Sequence, residues 1–452
     1  MNCHLRLAAF LVTTVFFPVT DASTLNLAKT GLSVTFMAGD DGSTGAGLAW
    51  PTPRFTTNTD TTLSDALTGL VWVADAGTPT AGSCSGGGKT WQDALAYVAC
   101  LNTGNYLGQN DWRLPNVNEL ESIVALGRSM QGWLNSQGFV NTPSTSKTYW
   151  TSTTRETYPS FAFNVNLYYG YVGSSSKTTT AGVLAVRSTT ANSSSNAAVR
   201  QTGLTTSSAS GDDGALRKGI TWPAGRFSGT AQGAISDALT GLEWAKDANA
   251  PGPSVCRAGV WKSWADALSH MTCLNANKYL GYSDWRLPNR RELHSLIDFG
   301  RTNSPVVPSN HPFTNVKSDY YWTSSTNAFN AVMNPTFAVP WVVSMSDGSI
   351  GQPADSFSTY YVWPVRSGLV STSTTAADCL FNWAEQSFPQ YFSPGATSAS
   401  LATYYYRHYP SKATYIATNS SDNHVWVLGP EFGPNPVDVG VVNNLLSAAH
   451  CQ

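Results

Sequence analysis

Two sets of charged residues recur in this chain in the same order: Asp111, Arg113 and Glu119, then Asp284, Arg286 and Glu292. Two carboxylates beside a guanidinium could do acid–base chemistry, one carboxyl donating a proton and the other accepting one. Their spacing points elsewhere. Asn116 and Asn289 stand three residues ahead of Glu119 and Glu292, which is how a capping residue is answered by an acid at a helix start. Arg113, set between Trp112 and Leu114, reads as a buried fork bonded to backbone or to Asp111, and Arg286 beside Trp285 and Asp284 reads the same way. No catalytic residue is assigned, and the chain is read as a non-enzyme.

Other chemistry is sparse. Gly86-Gly87-Gly88-Lys89-Thr90 lacks the first glycine of a phosphate-binding loop. His270, His294, His311, His408, His424 and His450 do not recur as pairs across the repeat described next, so neither a zinc site nor a Ser-His-Asp arrangement is expected. The acid pairs Asp40-Asp41 and Asp212-Asp213 lie in Gly-bounded turns. They could offer oxygens to Ca²⁺ but lack the alternating ligand spacing of a calcium loop, so turn chemistry is their default reading and no cofactor is expected. Tyr168, Tyr169, Tyr171, Trp341, Tyr360 and Tyr361 are candidate ligand-binding residues, read as rings between strands that could stack on sugars.

The elements holding these residues are duplicated. Gly39-Asp40-Asp41-Gly42, Trp50-Pro51 and Arg54-Phe55 return as Gly211-Asp212-Asp213-Gly214, Trp222-Pro223 and Arg226-Phe227, and the Asp-Ala-Leu-Thr-Gly-Leu run starting at Asp65 returns at Asp237. Tyr149-Trp150-Thr151-Ser152 matches Tyr321-Trp322-Thr323-Ser324, and Val186-Arg187-Ser188 matches Val365-Arg366-Ser367. Two long copies make a tandem pair of globular domains. Thr90 and Ser263, each three residues before an aspartate, predict one capped amphipathic helix per copy, and Asn116 and Asn289 predict a second. Short aromatic and β-branched runs follow, which makes an α+β fold with mainly antiparallel strands.

The expected layout is a signal peptide over 1–22, a first domain over 30–188, a Ser/Thr-rich linker over 189–210, a second domain over 211–368, a short linker over 369–377 and a small module over 378–452. Each copy is expected to fold on its own. The apolar run from Leu7 to Val19 after Arg6 is too short to span a bilayer and reads as a cleaved export signal, with cleavage near Ala22. The mature chain is therefore expected to be secreted, periplasmic or at the cell surface, with no membrane span. Six cysteines remain. The repeat makes Cys84 with Cys100 equivalent to Cys256 with Cys273, which leaves Cys379 for Cys451. With 26 Lys and Arg against 28 Asp and Glu, and only 12% of residues charged, the chain has no basic footprint for nucleic acid.

The motifs D-A-L-T-G-L-x-W, W-x-D-A-L, D-W-R-L-P-N-x-x-E-L, Y-W-T-S and V-R-S together resemble the Lcl C-terminal domain family, over both copies. The resemblance implies a C-type-lectin-like fold, distantly similar to formylglycine-generating enzymes, in an exported binding or adhesion-type protein whose partner would be a glycan or other surface polymer. The Glu-Pro-Asn signature of calcium-dependent lectins and the cysteines of an oxidative enzyme are both missing, so neither activity carries over. The end of the chain, with C-L-F-N-W-A-E-Q, Y-Y-Y-R-x-Y and V-W-V-L-G-P, resembles a recurrent C-terminal module of exported bacterial proteins.

Overall fold

A computed structural model describes residues 25–188, 197–327, 339–353 and 358–367, together with five strands further on. The signal segment, Cys379 and Cys451 lie outside the described residues. The first copy runs α1 (Asp41–Thr44), β1 (Phe55–Thr57), β2 (Thr62–Asp65), β3 (Leu70–Val73), α2 (Trp91–Thr103), α3 (Val117–Ser122), α4 (Met130–Ser136), β4 (Thr148–Thr154), β5 (Phe161–Asn166), β6 (Val172–Ser176) and β7 (Val186–Ser188). The second copy repeats this order without a match to α4: α5 (Asp213–Leu216), β8 (Phe227–Gly229), β9 (Ile235–Asp237), β10 (Leu242–Trp244), α6 (Trp264–Ala276), α7 (Arg290–His294), β11 (Tyr320–Asn327), β12 (Val339–Ser344), β13 (Ile350–Gly351) and β14 (Val365–Ser367). The fold is α+β, and its sheets are antiparallel.

The expected helix starts form as the sequence predicts. Thr90 and Ser263 accept from the amides of Asp93 and Asp266, and Asn116 and Asn289 form full capping boxes with Glu119 and Glu292. Cys84 is bonded to Cys100 and Cys256 to Cys273. Each bridge ties the main helix of its copy to the loop before it. A small sheet, β1-β2-β3-β7 in the first copy and β8-β9-β10-β14 in the second, closes each copy by pairing its start with its end. An ion pair buttresses each: Arg54 forks onto Asp65 and Arg226 onto Asp237, all four side chains being buried.

The two copies are not separate bodies. β6 pairs with β13, with Val172 opposite Ile350, so the larger sheets fuse into one of six strands in the order β11-β12-β13-β6-β5-β4. One hydrophobic core runs through both, including Phe163 and Val186 of the first copy with Phe299, Trp341 and Trp363 of the second. The contacts across the junction are reciprocal. Phe163 packs edge-on against Phe299 at 4.9 Å, and Trp341 against Tyr171 at 5.2 Å.

Ahead of each copy's first strand lies an arm, residues 25–50 in the first copy and 197–222 in the second, and each arm crosses to the other copy. Asp41 on the first arm accepts from the Ser325 hydroxyl of β11, and Asp213 on the second from the Thr153 hydroxyl of β4. The capping residues hold the crossing: Asn289 donates to the Ala46 carbonyl and Asn116 to that of Lys218. The Gly-Asp-Asp-Gly turn earns its second glycine here, because a Cβ on Gly42 or Gly214 would fall 2.0 Å or 1.9 Å from the carbonyl oxygen of Val34 or Thr206. The polar run expected as a linker over 189–210 is thus corrected. Residues 197–210 belong to the second arm, and Arg200, Thr202 and Leu204 are buried in it. The first domain likewise starts before residue 30, since Leu25 is buried and bonded to the Leu239 carbonyl of the other copy.

The tail forms a five-stranded antiparallel meander, β15 (Thr397–Leu401), β16 (Tyr404–Tyr409), β17 (Thr414–Asn419), β18 (His424–Gly429) and β19 (Gly433–Val441).

Candidate functional site

The repeated charges are structural fixtures. Arg113 donates from both terminal nitrogens to Glu119, at 2.6 and 2.7 Å, and Arg286 does the same to Glu292, at 2.6 Å each. Glu119 and Glu292 also accept from the amides of Asn116 and Asn289, so these carboxylates are held on both sides. The expectation that Asp111 would partner Arg113 is corrected. Asp111 takes the Nε of Arg187 at 2.6 Å, and Asp284 that of Arg366 at 2.8 Å, which joins the Asp-Trp-Arg block to the closing Val-Arg-Ser of the same copy. Trp112 and Trp285 are buried, each donating its indole N–H to a carbonyl six residues back.

The acid pairs serve the arms. Asp40 and Asp212 cap α1 and α5 and accept further backbone amides, while Asp41 and Asp213 accept only hydroxyls in the crossing. Burial raises Asp41 to about 6 and Asp213 to about 7, its effect only partly offset by the hydroxyl donors. Among the described residues no group of three or more His, Cys, Asp or Glu is placed to hold a metal.

The aromatic candidates divide into two places. Tyr168, Tyr169 and Tyr171 of the first copy meet Trp341 of the second at the sheet junction, in a chain of ring contacts. Trp341 is wholly buried there, under Tyr171 and beneath the guanidinium of Arg290 at 4.6 Å. The reading of Trp341 as a ligand-facing ring therefore fails, because β12 is an inner strand of the fused sheet. Tyr171, half-buried, donates its hydroxyl to Gln352 across the junction, and of this set Tyr169 presents the most surface.

Tyr360 and Tyr361 build a different feature, an aromatic edge of the second copy. Tyr360 bridges Lys262 and Tyr361 bridges Tyr321, so three segments run side by side. Alternation along them sends rings to both sides. Tyr320 packs at a tilt against Tyr360 at 5.5 Å above buried Trp322, and Trp261 meets Tyr361 at 5.8 Å above buried Tyr321. Trp261 is 57% and Tyr320 41% exposed, unusually open for rings in a fold that buries most of its tryptophans. The loop carrying Trp261 is fixed. Cys256 is bridged to Cys273, the buried His270 ring bonds the carbonyls of Cys256 and Pro251, Lys262 donates to the Arg257 carbonyl, and Trp322 donates to that of Lys262. Burial and the neighbouring Lys262 lower the His270 pKa, opposed by its two carbonyl partners. Sequence reasoning missed Trp261 and Tyr320. The signal was available in the repeat: the matching positions of the first copy are Gly88, Thr148, Ala181 and Gly182, so four aromatics stand where the other copy has small residues.

The sequence profile of the Lcl C-terminal domain matches residues 61–187 and 233–366, more than half of the chain, in two tandem copies. The chain belongs to this family. The matched stretches take in the main helices and all but the first strand of each small sheet, and leave the exchanged arms outside. A search of curated proteins found no match. Among the described residues no helix is long and apolar enough to cross a membrane.

Proposed function

We propose that this is an exported, non-enzymatic binding protein that recognises a glycan through the aromatic edge of its second copy. The observation that carries the reading is the pair of exposed rings Trp261 and Tyr320, set against Tyr361 and Tyr360, with Trp261 on a loop held by a disulfide. Flat ring faces fixed before binding suit the apolar faces of sugar rings and lose little conformational freedom on contact. Family membership and the two disulfides support a binding role in an oxidising compartment. The repeated Asp-Trp-Arg-Leu-Pro block supports it from the other side, since its carboxylates are engaged by arginines and capped amides.

The test is a glycan array followed by polysaccharide pull-down with the full mature chain, run with Ca²⁺ and with EDTA. Binding should be insensitive to EDTA, should fall at least tenfold in Trp261→Ala and Tyr320→Ala, and should persist in Tyr169→Ala. Undiminished binding by both edge variants would move the site elsewhere, and binding abolished by EDTA would reopen the acid pairs as calcium ligands.

A further inference from the structure

Among the described residues, every buried arginine but one has a carboxylate within salt-bridge distance: Arg54, Arg113, Arg226, Arg290, Arg291 and Arg366 are paired, and Arg200 is not. Arg200 is 6% exposed. One terminal nitrogen donates to the His294 carbonyl at 2.6 Å, while its Nε has no hydrogen-bond partner. The segment just ahead of it, 189–196, contains no Asp or Glu. A buried guanidinium without a counter-charge is costly, because it gives up hydration that nothing replaces.

The surroundings add to the imbalance. Arg290 and Arg291 share one acid, Glu121, at 3.2 and 3.4 Å. Their counterparts in the first copy are Val117 and Asn118, and the counterpart of Arg200 is Ala28, so the second copy brings three cations to a junction where the first places Glu121 alone within salt-bridge distance. Asp41 also reaches Arg290 and Arg291 electrostatically, which still leaves cations in excess. His294 beside them is held neutral by burial and by its arginine neighbours. Next to Arg200 lies a cavity of about 50 Å³ between the two arms, lined by Leu25, Leu67, Asn118, Glu121, Arg291 and His294 among others. One water needs roughly 10–15 Å³ of such space, so there is room for more than one water.

We propose that this cavity is a binding site for one small monovalent anion, a halide or a small carboxylate, held by Arg200 and the cationic excess of Arg291 and Arg290, with the free oxygen of Asn118 bonded to the water that accompanies it. The site lies where both arms meet the junction, so the ion would fasten the exchange of arms. It is independent of the aromatic edge.

The experiment compares thermal melts of the full mature chain in gluconate, too bulky to enter, with chloride, bromide and formate at equal ionic strength. Expected is a saturable Tm rise of about 2–5 °C with the small anions, as ligand linkage gives for a site filled well above its Kd. A rise with chloride and bromide only assigns a halide, and a rise with formate as well assigns a small-carboxylate site. Arg200→Met should show no anion dependence and should melt no lower than the parent in gluconate, since it removes an uncompensated charge. Crystals soaked in bromide should show anomalous density beside Arg200, a readout that needs no variant. No saturable rise, an equal rise in Arg200→Met, or soaked crystals with no bromide at Arg200 would each overturn the proposal.

Discussion

The carboxylate of Asp41 accepts a 2.7 Å hydrogen bond from the hydroxyl of Ser325, 284 positions further along the chain. Its counterpart Asp213 accepts one of 2.8 Å from Thr153. Each also takes a hydroxyl from its own arm, Thr30 or Thr202. These two carboxylates are the buried polar pins of the arm exchange, and both are held by neutral donors.

Their protonation makes the exchange sensitive to pH. The folded chain keeps these protons up to about pH 6 and about pH 7, whereas the unfolded chain releases them near its ordinary value of 3.8. The associated stability is complete below about pH 4 and is lost as pH rises through the folded values. The double variant Asp41→Asn/Asp213→Asn, which keeps an oxygen to accept the hydroxyls, should lose less stability than the parent between about pH 4 and about pH 7. Denaturant melts across that range check it, and identical pH slopes in both proteins would refute it.

Fusion of the sheets predicts that the copies stay together when the chain between them is cut. A protease site placed between Thr189 and Asn196 should yield two fragments that co-elute on gel filtration without denaturant, because separation would expose a shared core and unpair β6 from β13. Fragments that elute separately and remain folded would show that the junction is dispensable.

Loss of Arg113 should be severe. Arg113 and Glu119 are both buried and doubly bonded, and removing one partner leaves the other uncompensated, at a cost of about 3–5 kcal/mol. Arg113→Lys should recover little, since an ammonium cannot make the paired bonds. Chemical denaturation of the whole chain measures both, and a near-parental midpoint for either variant would remove this fork from the fold's supports.

The bridge from Cys84 to Cys100 closes a loop of 16 residues, which corresponds to roughly 3 kcal/mol in the chain-entropy treatment. The double variant Cys84→Ser/Cys100→Ser should lose stability on that order. Non-reducing peptide maps should recover Cys84 with Cys100, Cys256 with Cys273 and Cys379 with Cys451, and a different pairing would contradict the layout.

What could be read in the sequence was local or repeated. Thr90, Ser263, Asn116 and Asn289 announce their helices because caps act over three residues, and the cysteine pairs follow from their equivalent placement. The strands β1 to β3 were not legible, being three or four residues long among threonines and glycines that read as turns. α4 was missed although Ser129 caps it, because only Met130, Trp133 and Leu134 mark its inner face. Sequence nearness offers Arg113 its backbone or Asp111 as partner, whereas a helical turn brings Glu119 under its fork and the returning β7 brings Arg187 to Asp111. Trp341 looked like a loop ring because nothing local reveals that its strand joins a sheet shared with the other copy. The arm exchange rests on hydroxyl, amide and backbone bonds between residues far apart, which leave no pattern in one sequence.

Because the exchange closes within one polypeptide, the chain amounts to a tethered heterodimer of fixed composition. In a symmetric pair of identical subunits any ring added to one outer face would appear on both. Here one half could keep Gly88, Thr148, Ala181 and Gly182 while the other acquired Trp261, Tyr320, Tyr360 and Tyr361. One subunit equivalent was thereby freed to carry exposed rings while its twin completes the shared body, so the proposed site at the aromatic edge predicts one ligand chain per protein.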